Sequence, residues 1–392
     1  MISPSFLFKL AGLPPVVLKT VLQYYTVGTI YSNTNQEFEN SLYKNILLSV
    51  EAHVIGNYNK NDMRIVTYEP IEKVIKKFRS NPMISQLRNF GKEFDDHSYW
   101  VHQADNDTLK EKGKVLVYLH GGGYLFNMFD SQFSFISALH YALDNTTSEK
   151  LSILVVDYSL TMFDHVYPTQ IHETLTTYYN LVQSGYDSIH LIGDSAGSHL
   201  ALTVARCLAY PQETRTHFSH FPQFPLSFPL ESLPQPSSLI LISPWPEPCT
   251  LPKLPPRHGI NTLGDLVSKH DVSLGNFYLG ENDEELINDY LTFTNTDFDT
   301  HWAEVEPINN GKTLILVGER EVLRDGVEDF YHIINKNGKV QYHVEKGGIH
   351  AGLVYVESLD YLSCRGGKRA VNGDFENKFG FNLVAKFLNQ IV

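Results

Sequence analysis

The sequence predicts an α/β fold in which a mainly parallel sheet carries helices on both faces. From about residue 115 onward, short apolar segments alternate with helical patterns, which is typical of successive βαβ units. Two glycine motifs, His-Gly-Gly-Gly at 120–123 and Gly-Asp-Ser-Ala-Gly at 193–197, each follow an apolar segment directly. With 392 residues, the chain is long enough for one large domain of this class with an added cap.

The predicted strands are short, nearly continuous apolar runs, as expected for strands inside a sheet. They are residues 114–119, 151–158, 188–192, 238–243, 313–318 and 339–345. Helices are predicted at 169–184, at 198–206 and from about 376 to 390. Pro168 fits the first turn of the first of these helices, and Gly185 ends it.

Two stretches interrupt the alternation. Residues 213–236 are rich in Pro, Phe and Ser, and we expect an irregular insertion on the side of the sheet away from Ser195. Residues 245–302 follow the carboxyl end of a strand, where α/β sheets bind ligands. We predict that this second insertion and residues 1–90 form a cap, and that 91–392 form the main domain.

The N-terminal segment is apolar, with Lys9 and Lys19 as the only charged residues between positions 6 and 31. Pro14-Pro15 should interrupt any helix there. The run from 16 to 31 is shorter than the ~20 residues of a membrane span, and a cleaved signal peptide is not expected. Two hypotheses remain: the segment packs over the site, which we favour, or it lies in a membrane interface.

Charge and cysteine content exclude several classes. A formal charge of −13 without a Lys/Arg run argues against nucleic acid as a partner. No disulfide framework, metal site or cofactor is predicted, because the cysteines are scattered and the His217/His220 pair has no third ligand nearby. The cysteines are Cys207, Cys249 and Cys364. Asn106 and Asn145 each begin an N-x-T sequence that would allow glycosylation in a lumenal compartment.

Residues 193–197 match a G-x-S-x-G nucleophile elbow, a sharp turn between a strand and a helix that exposes Ser195. Consecutive glycines after the earlier strand let backbone N–H groups approach a ligand oxygen, as an oxyanion hole requires. The predicted oxyanion residues are Gly121, Gly122, Gly123 and Ala196, with His120 and Asp194 supporting the two motifs.

A serine nucleophile needs a histidine base, which is itself oriented by a carboxylate. His350 is the predicted base, because it lies on a glycine-flanked loop after the last predicted strand. Three carboxyl groups, at Glu319, Glu321 and Asp325, follow the strand before it and compete for the role of the acid.

These motifs resemble the hormone-sensitive-lipase-like branch of the α/β hydrolases. Residues 318–325 match that branch's acid loop, Gly-x-x-Asp-x-Leu-x-Asp, with Glu321 in place of the commoner Asp, and 349–352 match its histidine loop. Asp157-Tyr158, His165 and Tyr167-Pro168 resemble its tyrosine-containing segment, although 159–163 depart from the usual Arg-Leu-Ala-Pro-Glu. The resemblance implies an α/β-hydrolase fold and a serine esterase with a triad of Ser195, Glu321 and His350.

Within that branch, the aromatic N-terminus and Tyr-Pro-Thr-Gln at 167–170 are most similar to fungal steryl acetyl hydrolases. This narrower resemblance implies a hydrophobic small-molecule ester as substrate and a place in the endoplasmic reticulum membrane or lumen. A cytoplasmic or lipid-associated location is the alternative.

The predicted reaction is the hydrolysis of short-acyl esters of hydrophobic alcohols, with steryl acetates as the favoured substrates. A broad short-chain or xenobiotic esterase, an arylformamidase and an inactive hydrolase-fold binding protein are the alternatives. Arylformamidases resemble His-Gly-Gly-x-Trp, whereas position 124 is Tyr here. Aromatic residues of the two predicted cap segments should line an apolar cleft: Phe6, Phe8, Tyr24, Tyr25, Tyr31, Trp245, Phe277 and Tyr278.

Overall fold

One eight-stranded sheet organises the chain. The computed structural model describes residues 2–32, 35–39, 41–105, 113–260 and 264–392. The strands are β1 (Glu93–Asp95), β2 (Ser98–His102), β3 (Gly113–Leu119), β4 (Leu151–Val156), β5 (Tyr186–Asp194), β6 (Ser238–Ile242), β7 (Thr313–Gly318) and β8 (Gln341–Glu345). The sequon at Asn106 lies outside the described residues, whereas Asn145 is exposed.

The strand order is β1-β2-β4-β3-β5-β6-β7-β8. β1 and β2 pair antiparallel at one edge, and all strands from β4 to β8 in this order run parallel. The predicted fold class is therefore confirmed. The short β1–β2 edge was not predicted, and β5 is longer than predicted because Gly193 and Asp194 still pair with β6.

Helices cover both faces of the sheet. Before β3 they are α1 (Pro4–Ala11), α2 (Leu13–Tyr25), α3 (Gln36–Glu39), α4 (Leu42–Val54), α5 (Lys60–Val66) and α6 (Ile71–Phe78). Between β3 and β6 they are α7 (Asp130–Ala142), α8 (Asn145–Lys150), α9 (Thr169–Gln183), α10 (Ala196–Ala209) and α11 (Pro211–Phe218). After β6 they are α12 (Ser273–Leu279), α13 (Glu284–Leu291), α14 (Phe298–His301), α15 (Glu306–Asn309), α16 (Arg324–Ile334), α17 (Cys364–Val371) and α18 (Phe379–Ile391).

The core has two layers because side chains alternate along each strand. On β3, Val115, Val117 and Leu119 pack with α9, α10 and α16, whereas Leu116 and Tyr118 point to the opposite face and pack with α7 and α18. Both faces of β3 are buried, which explains the continuous apolar run in its sequence.

The N-terminal segment forms two helices that break at Gly12, not at the prolines. Pro14 and Pro15 lie in the first turn of α2, where a missing N–H disrupts no helical hydrogen bond. Together, Pro4–Tyr25 are long and apolar enough to cross a membrane by length and composition, and almost none of this stretch is buried. We favoured packing of this segment within the protein, but only a few of its side chains are buried there.

The first 90 residues contribute to two different parts of the molecule. Side chains of α4 and of the segment that follows it line a cleft above the sheet. In contrast, α6 buries Ile71, Val74, Ile75 and Phe78 in the layer that contains α7. Residues 71–90 therefore do not line the cleft in the described part of the chain. No residue of the insertion at 213–236 lines the cleft in the part of the chain that the structure describes.

Candidate active site

The turn at Ser195 is strained. Ser195 has φ 52° and ψ −116°, a conformation that side chains rarely adopt, and it lies between the end of β5 and the start of α10. A Cβ atom at Gly197 would overlap the carbonyl of Leu119, and one at Gly193 would overlap the backbone of Gly197. The glycines of the motif are therefore required by close packing, as the sequence suggested.

Asp194 joins the turn to its surroundings. Its carboxylate is fully buried and accepts hydrogen bonds from the Tyr118 hydroxyl at 2.5 Å, the Gly121 N–H at 2.9 Å and the Tyr355 hydroxyl at 3.1 Å. The Gln132 amide lies 3.3 Å from both oxygens. Burial raises the pKa of Asp194, and these hydrogen bonds oppose that rise by favouring the ionised form.

The N–H group of Gly121 is engaged within the protein, whereas Gly122 and Gly123 lie at the cleft. Because the Gly121 N–H donates to Asp194, it is not available to a substrate oxygen, and the prediction of Gly121 as an oxyanion donor is wrong. Gly122 and Gly123 have φ values of 109° and 60° and line the cleft together with Ser195. Among the described residues, no protein acceptor binds the N–H groups of Gly122, Gly123 and Ala196.

His120 fixes the glycine loop and carries no charge at neutral pH. Its Nδ1 lies 2.7 Å from the carbonyl oxygen of Gly121, and its ring stacks on Tyr158 at 4.1 Å. The Tyr158 hydroxyl in turn donates to the carbonyl oxygen of His120. Burial lowers the pKa of His120 to about 4, so the ring is neutral. His120 therefore contacts the glycine loop as a neutral group.

Glu321 is the carboxylate that faces His350. Its Oε2 lies 3.3 Å from His350 Nδ1, and its Oε1 accepts hydrogen bonds from the Gly318 N–H at 2.6 Å and from the Ser243 hydroxyl. The Ser243 hydroxyl also accepts the Ala351 N–H at 2.8 Å. Ser243 thus holds the acid loop and the histidine loop together at the end of β6.

The other two acids on this loop point elsewhere. Glu319 accepts the Gly347 N–H at 2.7 Å, and Asp325 accepts the Arg257 N–H at 2.8 Å. Asp325 therefore holds residue 257 of the later insertion against α16.

The imidazole of His350 is surrounded by carboxyl groups. Burial by itself lowers the pKa of His350, but the hydrogen bond and charge of Glu321, with the charges of Asp265 and Asp194, outweigh burial and raise it. Ser195 and His350 line the same cleft, yet among the described side chains no hydrogen bond joins the Ser195 hydroxyl to the His350 ring. Such bonds are often long in unliganded structures and shorten on substrate binding.

Two residues of this arrangement were missed by sequence reasoning. Asp265 accepts the backbone N–H groups of His350 and Val322, each at 2.7 Å. Ser243 could have been found, because polar side chains at the carboxyl ends of parallel strands often lie in ligand sites. Asp265 had no comparable signal, since it lies within an insertion that lacks a motif.

The cleft over Ser195 has a volume of about 600 Å³, within the roughly 300–1,000 Å³ typical of small-molecule sites. Its walls are mostly apolar, and several come from α4 and the loop after the glycine motif. These lining residues include Tyr43, Leu47, Val54, Tyr58, Phe126 and Phe129. None of these side chains was predicted individually, because residues 41–66 carry no recognisable motif and the glycine motif does not extend to Phe126 and Phe129.

Of the eight aromatic residues predicted to line the cleft, only Phe6 and Trp245 do so. Phe8 and Tyr25 are exposed, because each lies on a face of its helix that points away from the cleft. Tyr31 is buried behind the histidine loop, and Tyr278 is buried against Tyr124. The prediction is also wrong for Tyr24 and Phe277, which do not line the cleft.

The histidine pair at 217 and 220 and one further cluster were considered as metal sites. His217 Nε2 lies 2.5 Å from the Tyr167 hydroxyl, which leaves that nitrogen engaged. His258, Asp325 and Glu328 lie close enough together to hold a metal ion, but the Arg257 guanidinium already lies 3.6 Å from each of the two carboxylates. All three cysteines are free thiols.

Comparisons with known proteins identify the family. The family model described as steryl acetyl hydrolase matches residues 5–361. The Schizosaccharomyces pombe protein named "Putative steryl acetyl hydrolase mug81" is 27% identical over 407 aligned residues, which cover 100% of this chain and 99% of the relative. Steryl acetyl hydrolase 1 of Saccharomyces cerevisiae is 34% identical over 94 residues, or 23% of this chain and 21% of the relative.

Solved structures confirm the fold. A hormone-sensitive lipase from a metagenome library superposes with a TM-score of 0.56 at 16% identity, over 88% of this chain and 95% of that one. A structure named "Crystal structure of a putative esterase from Staphylococcus aureus" gives a TM-score of 0.50 at 13% identity, over 82% of this chain and 94% of that one. The fold is the α/β-hydrolase fold, and the family match extends over nearly the whole chain: the protein belongs to the steryl acetyl hydrolase family and is a carboxylic ester hydrolase.

Proposed function

We propose that the protein is a serine esterase that removes acetyl and other short acyl groups from hydrophobic alcohols, with steryl acetates as its main substrates. The observation that carries the proposal is the single apolar cleft in which Ser195, His350 and the N–H groups of Gly122 and Gly123 meet. A cleft of about 600 Å³ with mostly apolar walls suits a bulky, rigid alcohol better than a small polar one.

The reaction follows from the arrangement of these groups. The Ser195 hydroxyl attacks the ester carbonyl while His350 takes its proton. The N–H groups of Gly122, Gly123 and Ala196 stabilise the negative charge on the tetrahedral oxygen. His350 then gives the proton to the leaving alcohol. A water molecule repeats the attack on the acyl-serine and releases the carboxylic acid.

Glu321 holds His350 in the orientation that this proton transfer needs. With its Oε2 beside Nδ1, it fixes the tautomer that leaves Nε2 free to accept the serine proton, and it stabilises the imidazolium. The Gly318 N–H and the Ser243 hydroxyl hold the other oxygen, so the extra methylene of Glu relative to Asp does not leave the carboxylate loose.

The exposed apolar faces of α1 and α2 support contact with a membrane. Leu7, Phe8, Leu18, Leu22 and Tyr25 are each more than half exposed. Because Phe6 of the same helix lines the cleft, a membrane surface in contact with α1 would lie close to the substrate site. We propose that this surface is the endoplasmic reticulum membrane.

The first prediction concerns the nucleophile. Ser195→Ala should lower the rate of p-nitrophenyl acetate hydrolysis by several orders of magnitude, because the attacking oxygen is lost. Ser219→Ala, at an exposed position far along the chain from the motif, is the matched control and should retain wild-type rates. Wild-type activity no higher than that of Ser195→Ala would show that the protein is a non-catalytic relative.

The second prediction separates the three acids. Glu321→Gln should reduce kcat by about 10⁴-fold, as when a triad loses its orienting charge. Glu319→Gln and Asp325→Asn should change kcat by less than about tenfold, because each amide keeps an oxygen to accept the loop N–H that the acid binds. A large loss in Glu319→Gln with activity retained in Glu321→Gln would contradict the assignment.

The third prediction tests the substrate and the membrane contact together. Steryl acetate in neutral liposomes should be cleaved with a higher kcat/KM than a simple alkyl acetate in solution. A triple variant, Phe8→Ser, Leu18→Ser and Leu22→Ser, should float less with the liposomes and cleave steryl acetate more slowly, because apolar burial in the interface is lost.

The same triple variant should hydrolyse p-nitrophenyl acetate in solution at the wild-type rate, which is the control for folding. Cleavage of small esters without cleavage of steryl acetates would indicate a broad short-chain esterase. Faster turnover of N-formylkynurenine than of any acetate would indicate an arylformamidase.

A further inference from the structure

The carboxylate of Asp265 bridges the two loops that carry Glu321 and His350. Its Oδ1 accepts the backbone N–H of His350, and its Oδ2 accepts the N–H of Val322, the residue that follows Glu321. Both distances are 2.7 Å, and the side chain is buried. Asp265 lies in neither loop but in the insertion at 245–302, so the bridge joins three separate parts of the chain.

A buried carboxylate carries a large desolvation cost unless its oxygens are satisfied. Burial raises the pKa of Asp265 to about 6, against the opposing charge of His350 and the two backbone N–H groups. The charge of His350 and the two N–H groups favour the ionised form of this carboxyl group. Its charge is one of those that raise the pKa of His350, together with Glu321 and Asp194.

The N-terminal cap holds Asp265 in place from the other side. The Tyr31 hydroxyl donates to the Gly264 carbonyl at 2.9 Å, and the Arg320 guanidinium donates to the Ile30 carbonyl. Both groups also interact electrostatically with Asp265. Tyr31 packs in a small core that contains Ile349, the neighbour of His350. The histidine loop therefore rests on the cap as well as on the sheet.

We propose that Asp265 is a positioning residue that sets the separation of Glu321 and His350 and adds negative charge beside the imidazolium. This inference rests on the proposed serine-esterase function. It makes the cap insertion part of the machinery that holds the base, in addition to forming a wall of the cleft.

The test is Asp265→Asn, which keeps the shape but turns an NH₂ group towards one of the two N–H donors and removes the charge. kcat for p-nitrophenyl acetate should fall roughly 10- to 100-fold with KM unchanged. The acidic limb of the kcat/KM profile should move to lower pH by roughly half to one unit, because His350 loses a neighbouring anion. Asp265→Glu should keep the acidic limb at its wild-type pH, because the charge is retained, but should not keep the full wild-type kcat.

Asp283→Asn is the matched control in the same insertion, because Asp283 is exposed, caps α13 and can be replaced by Asn without losing the cap. A second readout needs no turnover: the NMR titration of His350 in Ser195→Ala and in the double variant with Asp265→Asn. Unchanged titration and unchanged kcat would overturn the proposal. If Ser195→Ala instead retained wild-type esterase activity, the proposed function would fail, and the titration would still report on Asp265.

A separate observation concerns the wall of the cleft. Four carboxyl groups line it, those of Glu51, Glu69, Asp130 and Asp271. Glu69 and Asp130 pair with Lys77, and Asp271 accepts backbone N–H groups. In contrast, Oε2 of Glu51 is buried and has no hydrogen-bond partner among the described residues.

Glu51 lies on α4 between Leu47 and Val54, which also line the cleft. Burial raises the pKa of Glu51 to about 7, so the protonated and ionised forms are both present near neutral pH. The side chain can therefore donate or accept a hydrogen bond. An unsatisfied polar group in an apolar wall lowers affinity for a purely apolar ligand and favours one that carries a matching polar group.

We infer that the alcohol part of the substrate carries a hydroxyl or carbonyl group, away from the ester, that hydrogen-bonds to Glu51. The inference rests on the proposed function. The test compares monoacetates of steroid diols, with the free hydroxyl at different ring positions, against the monoacetate of the mono-alcohol. At least one diol ester should have a kcat/KM about tenfold higher than the mono-alcohol ester in the wild type.

Glu51→Leu should abolish that preference, and Glu51→Gln should keep part of it because the amide still hydrogen-bonds. The quantity compared is the ratio of kcat/KM for the diol ester to kcat/KM for the mono-alcohol ester within each protein, so that a general change in activity cancels. A diol preference that is absent from the wild type, or unchanged in Glu51→Leu, would overturn the inference. No hydrolysis of p-nitrophenyl acetate by the wild type would instead contradict the proposed function.

Discussion

The buried carboxylate of Asp194 is the interaction on which the rest of the site depends. A charged group without solvent is tolerated only where donors surround it, and here they come from β3, the glycine loop, α7 and the segment after the histidine loop. Each of these elements is therefore held in a fixed position relative to the Ser195 turn. The bond from Gly121 also fixes the start of the glycine loop, whose next two residues line the cleft.

Buried charge also fastens the cap to the main domain. Lys378, just before α18, lies 2.6 Å from Glu37 and 2.5 Å from Asp360, and Lys44 of α4 lies 2.6 Å from the same Glu37. Removal of one member would leave a buried charge without its partner, which destabilises a protein far more than the loss of an exposed pair. The part of the cap that supports the histidine loop is thus fixed. Its apolar helices α1 and α2, in contrast, are mostly exposed.

The sequence predicted those parts of the molecule that depend on local chemistry. Apolar runs indicated the strands of the sheet, and close packing at the turn explains why Gly193 and Gly197 stood out. His350 was recognised by its glycine-flanked loop, and the choice of Glu321 over its neighbours came from resemblance rather than from the residues alone.

The missed interactions join distant positions. Asp265 binds backbone groups 57 and 85 residues away, and no periodicity in the insertion indicates which of its acids will be buried. The role of Gly121 could not be read from the motif either, because the direction of its N–H is set by a side chain 73 positions later. The prediction that the aromatic residues of the cap line the cleft was wrong for most of them, for a related reason. The face that a helix presents to the cleft depends on what packs against that helix.

The orientation of α1 links the proposed membrane contact to the chemistry. Phe6 lines the cleft while Phe8, on another face of the same helix, is exposed. If the exposed face lies in a membrane interface, a hydrophobic ester can move from lipid into the cleft along one helix with little exposure to water. The net charge of −13 does not oppose this arrangement at a neutral lipid surface, because apolar burial rather than charge would supply the binding free energy. The cap residues that contact the histidine loop would then hold His350 in place, while the exposed faces of α1 and α2 would contact the membrane that contains the substrate.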